Sequence, residues 1–281
     1  MHGFKHDNGT FYSLPKNYNE LTRKQLLNII RIRFTSYPDD WKKYLIIRQL
    51  IPIFHLYCFR WPFFKFTNVD LVDWQRFFSY PFLYEKPILT RAILDKFRIG
   101  GKTYYGPSDN CANLTFVEFI KCETFLEHYR QTSEEHWLHS IIAVLYRHKK
   151  NILIRVMEKA MVFGFEPSDD IRQKYNDALL AKRAKQFTKL APEVKEAVLI
   201  FYESCRHNII THPGFNLVFK KNTGGEGKSN KDYGWAHVLK SRAEKADNFE
   251  RWEQLRLTTV LFDLNEDIRQ QNEREAKLNN K

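Results

Sequence analysis

Leu114-Thr-Phe-Val-Glu-Phe-Ile-Lys-Cys-Glu-Thr-Phe-Leu126 and, seven residues later, Ser133-Glu-Glu-His-Trp-Leu-His-Ser-Ile-Ile-Ala-Val-Leu-Tyr146 are the stretches that decide the fold. Thr115 and Glu118 stand three apart ahead of an apolar run, the spacing at which a hydroxyl and a carboxylate satisfy each other's backbone N–H groups in a capping box. Apolar residues then recur at Phe116, Phe119, Ile120, Phe125 and Leu126, which predicts a helix from Thr115. A second helix opens at Ser133-Glu-Glu-His136, with Trp137, Ile141, Ile142, Leu145 and Tyr146 on its inner side. Two amphipathic helices in succession need each other's apolar faces, so the architecture is helix on helix.

The rest of the chain extends that pattern. Thr22 and Gln25 form another box, which starts a helix about Thr22 running to Arg33. Ser36-Tyr-Pro-Asp-Asp40 breaks the chain, and Asp39 or Asp40 caps a second helix from Trp41 to about Leu50, ended by Pro52. Residues 53–88 are aromatic throughout and cut by Pro62, Pro81 and Pro87, and read as short helices joined by packed turns, with Asn68 as a cap for Val69 to Phe78. Ile99-Gly-Gly-Lys-Thr-Tyr-Tyr-Gly-Pro-Ser108 reads as a loop with room for a brief strand or hairpin, because Gly-Gly supplies positive φ and Thr-Tyr-Tyr prefers extended backbone. Residues 151–163, 168–186 and 191–208 read as further core-facing helices, separated by Gly164 with Pro167 and by Pro192. Lys220 to Lys231 is a polar glycine loop, followed by helices from about Trp235 to Asp247 and Phe249 to Lys277. No repeat of fixed period occurs.

Composition supports the same picture. The 281 residues include 23 Phe, 14 Tyr and 6 Trp, far too much ring surface for a disordered chain. Eleven Gly and ten Pro are too few for a turn-rich β-sandwich. The fold class expected is all-α: an irregular multi-helix bundle with a Gly-rich loop and at most a small hairpin. Its expected divisions are an N-terminal extension over 1–13, a helical core over 14–221, a flexible loop over 222–232 and a C-terminal helical pair over 233–281. The net charge is +12, of which about +10 falls before residue 220, a bias that favours acidic partners such as nucleic acid or an acidic protein face. Basic and acidic residues alternate, however, as on a solvated helical surface. Cys58, Cys111, Cys122 and Cys205 include no C-x-x-C pair, so reduced, packed thiols are expected. The first residues lack the apolar stretch of a secretory signal, and the most apolar segment, Tyr44 to Phe59, carries Arg48, Gln49, Pro52 and His55, so no membrane span is expected.

Apparent motifs fail on inspection. Thr223-Gly-Gly-Glu-Gly-Lys-Ser229 imitates a phosphate-binding P-loop, but the first required glycine falls on Asn222 and no helix opens directly after Ser229. His128, His136 and His139 lie near Glu127, Glu134 and Glu135, yet the order is not H-E-x-x-H and no third ligand is placed by spacing; partly exposed histidines flanking a core Trp137 are the simpler reading. Cys205 and His207, two apart on a helix, face different ways and make no dyad. Tyr57 to Phe66 interleaves aromatic and basic residues in a manner suited to stacking bases, although burial is the commoner fate of such a run. No catalytic, cofactor-binding or metal-binding residue is assigned, and no cofactor is expected.

Several pieces, taken in order, resemble a family: the tail-region proteins of phages and prophages of Bacteroidota bacteria, encoded among tail genes. The residues that carry the resemblance are Asn19 to Leu27, Leu114 to Glu123, Ile141 to Arg147, Val198 to Tyr202 and Tyr233 to Leu239, covering the chain from about residue 14 to 265. The chain departs from the pattern in its aromatic stretch between 53 and 110 and at His148, where relatives typically have Pro after the L-Y-R run. The family has no established catalytic residues, so none is transferred. The resemblance implies a tail-assembly or structural protein, not an enzyme, that contacts phage tail components in the bacterial host cytoplasm or the virion. A homo-oligomer fits that role; the alternative expectation is a basic helical protein that binds nucleic acid.

Overall fold

The computed structural model describes residues 2–5, 11–50, 81–159, 170–219 and 254–279. The protein is mostly helical, and the described residues add two antiparallel hairpins. They divide into two compact units, Met1–Leu94 with Ala191–Phe201 and Asp95–Leu190 with Tyr202–Lys281. The helix Pro192–Thr211 supplies its first half to one and its second half to the other.

In the first unit, β1 (His2–Lys5) pairs with β2 (Phe11–Leu14) where the sequence suggests only an extension. Helix α1 (Arg23–Arg33) begins as expected: Thr22 Oγ1 accepts from Gln25 N at 3.3 Å while Gln25 Oε1 accepts from Thr22 N at 3.0 Å. It packs on α2 (Asp39–Leu50) through Leu26, Ile29, Ile30, Ile46, Ile47 and Leu50, all buried. Tyr18 stacks on Phe82 with ring centroids 4.7 Å apart, and the Arg33 guanidinium lies over the Tyr18 ring, 5.5 Å from its centroid. Asn19 ties this end to the following loop by accepting from the backbone N–H of Thr90 and Arg91 at 2.8 and 2.9 Å.

The second unit opens with β3 (Lys96–Ile99) and β4 (Lys102–Tyr105), joined by Gly100 and Gly101 at φ 54° and 77°. Positive φ at both turn positions is what a two-residue hairpin of this hand requires, and glycine meets it without steric cost. Helix α3 (Phe116–Thr132) starts at the Thr115/Glu118 box and stops at Ser133, whose left-handed backbone (φ 56°) returns its N–H to Tyr129 O at 2.8 Å. The chain reverses into α4 (Glu135–Leu145), and the two helices pack as an antiparallel pair around Phe119, Leu126, Leu138, Ile141 and Ile142.

Beyond Leu145 the backbone becomes extended, and Arg147 exchanges both hydrogen bonds with Tyr105, adding a third rung beside β4. Helix α5 (Ile152–Lys159) follows. The single helix expected over 168–186 is corrected here: from Asp170 the chain is extended, with Lys150 N donating to Ile171 O and Gln173 N to His148 O, both at 2.8 Å. Only after the turn Asp177–Leu179, capped by Asn176, does α6 (Leu180–Phe187) begin. Pairing with residues 148–150 satisfies the backbone groups that a helix would otherwise have satisfied internally.

Helix α7 (Pro192–Thr211) buries Tyr202, Cys205 and Ile209 in this unit, and α8 (Leu257–Asn279) packs Leu257, Val260, Leu261 and Leu264. Backbone bonds from Phe116 N to Leu255 O and from Leu257 N to Leu114 O pin the entry of α8 to the start of α3. No helix among the described residues is long and apolar enough to cross a membrane. The aromatic segment 53–80, the glycine loop 222–232 and the helix expected from Trp235 to Asp247 lie outside the described residues.

Candidate functional site

The second unit holds a closed square of charges, one carboxylate or guanidinium at each corner. Glu118 comes from the first turn of α3, Arg147 from the extended segment after α4, and Asp170 and Arg172 from the strand-like stretch beside it. Arg172 donates to Asp170 through Nε at 2.9 and 3.0 Å and through Nη2 at 2.8 Å, and its own backbone N–H binds the same carboxylate at 2.9 Å. Its remaining donors reach Leu145 O at 2.8 Å, Asn113 O at 3.2 Å and Glu118 Oε2 at 3.3 Å. Arg147 Nη2 lies 2.5 Å from Glu118 Oε1 and 3.6 Å from Asp170 Oδ2. The side chains of Glu118, Arg147 and Arg172 are 0 to 1 % exposed and that of Asp170 15 %.

Two charges of each sign cancel, which is the condition under which ions tolerate burial. The corners are not equal. Burial pulls Arg147 down to about 10 despite Glu118, and its Nε has no hydrogen-bond partner. Burial acts on Arg172 in the same direction, but Glu118 and the bonds from Asp170 outweigh it and hold that guanidinium above its ordinary value. Asp170 is pushed up by burial and drawn further down by the hydrogen bonds and charge of Arg172, ending below the usual carboxylate range. With three corners sealed and Arg172 bonded to the carbonyls of Asn113 and Leu145, the square ties the start of α3, the end of α4 and the 170–172 segment together. It is a fastening between those three segments.

An aromatic cluster closes over the hairpin side of the same unit. Phe97 stacks on Tyr146 at 4.5 Å and meets Phe187 edge-on at 5.6 Å, while Tyr104 meets Phe187 at 4.9 Å and donates its hydroxyl hydrogen to Gln186 Oε1. Gly106 is needed here, since a Cβ at that position would lie 2.7 Å from the Tyr146 ring.

The residues weighed from sequence fall as follows. His136 is exposed, His128 half-buried and His139 buried; Trp137 is half-buried, stacked 4.5 Å from the His128 ring. Among the described residues, no group of three or more His, Cys, Asp or Glu is placed to hold a metal ion. Cys205 is buried, His207 exposed, and Arg206 between them donates to Glu123 at 2.7 and 2.8 Å. Asn222 to Ser229, Tyr57 to Phe66 and Cys58 lie outside the described residues.

The charged square itself goes unnoticed in the sequence reading, although Glu118 and Arg147 both sit in stretches singled out there. A usable signal was the pair of arginines each flanked by apolar, extended-preferring neighbours, Leu145-Tyr-Arg147 and Ile171-Arg172. Helix α5 differs from expectation in the opposite sense. Read as a core helix, it instead exposes Ile152, Leu153, Ile154, Val156 and Met157, between 37 and 72 % each. Compared with protein-family models, with curated proteins and with solved structures, the chain matches none.

Proposed function

We propose that the chain is a tail-assembly or structural protein of a phage or prophage, acting through protein–protein contacts in the bacterial host cytoplasm or the virion and performing no catalysis. The observation that carries the reading is the row of exposed apolar side chains on α5, Ile152 to Met157. Contiguous apolar surface of this kind marks an interaction site in a folded protein. The paired charges tie the extended segment at Arg147, before the helix, to the segment at 170–172, after it. The ordered motifs that resemble the tail-region family supply the identity of the partner, another tail component. The deciding experiment is purification of the tagged full chain from induced cells: recovery of a tail-tube or tape-measure protein is expected, and a preparation without any tail protein, together with virions that lack the chain, would overturn the reading.

Nucleic-acid binding is the competing reading, favoured by the +12 net charge. Phosphate contacts release counterions, so binding of that kind falls linearly on a log–log plot against salt. The basic residues near the exposed aromatic Trp41 are already matched by acids, Lys42 with Asp39 at 3.9 Å and Lys43 with Asp40 at 3.3 Å, which weakens the case there. A steep salt slope with single-stranded DNA would restore it.

A further inference from the structure

Cys111 ends the short turn Asp109–Cys111 with a left-handed backbone, φ 54°, and Asn110 before it has the same value. Asparagine visits that region readily, whereas cysteine has no local reason to do so. What the turn achieves is placement. Cys205 on α7 lies within electrostatic reach of this turn, and Cys111 is the first cause that pushes its thiol up. One helical turn further along the same face, Asn208 Nδ2 donates to Asn110 Oδ1 at 3.2 Å. Both thiols are free and buried. Backbone strain that sets one thiol against another is an outlier from which a role is properly inferred. We propose that Cys111 and Cys205 are a latent disulfide, closed by a small-molecule disulfide of the oxidised-glutathione class, which locks the 109–111 turn onto α7.

The chemistry is thiol–disulfide exchange. The Cys111 thiolate attacks one sulfur of the small disulfide, whose S–S bond breaks; one thiolate leaves and a mixed disulfide forms. The Cys205 thiolate then attacks the Cys111 sulfur and expels the second small thiolate. The two protein thiols lose two electrons to the small disulfide, and their two protons end on the two thiols released. Cys111 sits on the turn itself and Cys205 within α7, so opening of the turn exposes Cys111 first. Cys111, with burial, pushes the Cys205 thiol up, so little thiolate is present in the closed fold and exchange waits on local opening of the turn. A third buried thiol, Cys122, lies on α3.

The test uses the reduced full chain equilibrated through a glutathione redox series under native conditions, with remaining thiols blocked and digestion without reductant. A Cys111–Cys205-linked peptide is expected as the dominant cross-link, with loss of two hydrogens in intact mass, reversal by dithiothreitol and a Tm raised by about 5 °C. Cys205→Ser abolishes the link and Cys122→Ser retains it. Thiols that all stay free across the series, a dominant link through Cys122 or Cys58, or a link that survives Cys205→Ser would each overturn the proposal. The peptide map of the wild-type chain decides the matter even if a variant fails to fold.

Discussion

The charged square and helix α5 both fall between Glu118 and Arg172 in the sequence and invert the usual partition of side chains. At one, four ions are withdrawn from water; at the other, five apolar side chains remain in it. The difference is one of completion. Each ion in the square has an opposite charge within reach and, for Arg172, backbone carbonyls for its other donors, so burial is tolerated at every corner. The side chains of α5 have no comparable cover among the described residues. A region whose charges are paired holds the fold, and a region whose apolar side chains stay in water is where a partner would add free energy.

The sharpest way to break this contrast is to remove one corner. Glu118→Ala leaves two buried guanidinium groups sharing Asp170 alone, and denaturant unfolding should show a loss of about 3–5 kcal/mol. A change under about 1 kcal/mol, the range of exposed pairs such as Arg130 with Glu203 at 2.6 Å, would mean that the square contributes no more than a surface ion pair. Next in size is Gly106→Ala, which drives a methyl group into the Tyr146 ring; equilibrium unfolding should register about 1–3 kcal/mol.

Acid supplies a third probe. Because Asp170 is depressed in the folded state, its contribution is fully present above the ordinary carboxylate range and is lost as pH falls through the folded value. Tm measured from neutral pH down through that range should fall, and Asp170→Asn should flatten the acid limb relative to the wild-type curve. The smallest expected effect is at α5, where Leu153→Lys should change stability by no more than about 0.5 kcal/mol, as for an exposed position. A large loss of stability there would show that the helix face is covered within the chain and is not a docking surface.

What the sequence discloses is what neighbours decide. The Thr22/Gln25 and Thr115/Glu118 boxes are local pairs three residues apart, and both form. The hairpin at 96–105 follows from Gly100-Gly101, the two residues that need positive φ. The extended backbone at Arg172 is a different matter, since it depends on pairing with Lys149 and on Glu118, 54 residues away. Periodicity likewise says that α5 has apolar residues but not whether anything packs on them, and that is why its exposure was not legible.

The claim that the protein works by docking through α5 is tested most directly by comparing the wild-type chain with Ile152→Lys/Leu153→Lys/Val156→Lys, both purified from induced cells, with partners identified by mass spectrometry. The account predicts that a tail component accompanies the wild-type chain and is lost from the equally folded triple variant. The same tail component recovered with both, or with neither, would contradict it.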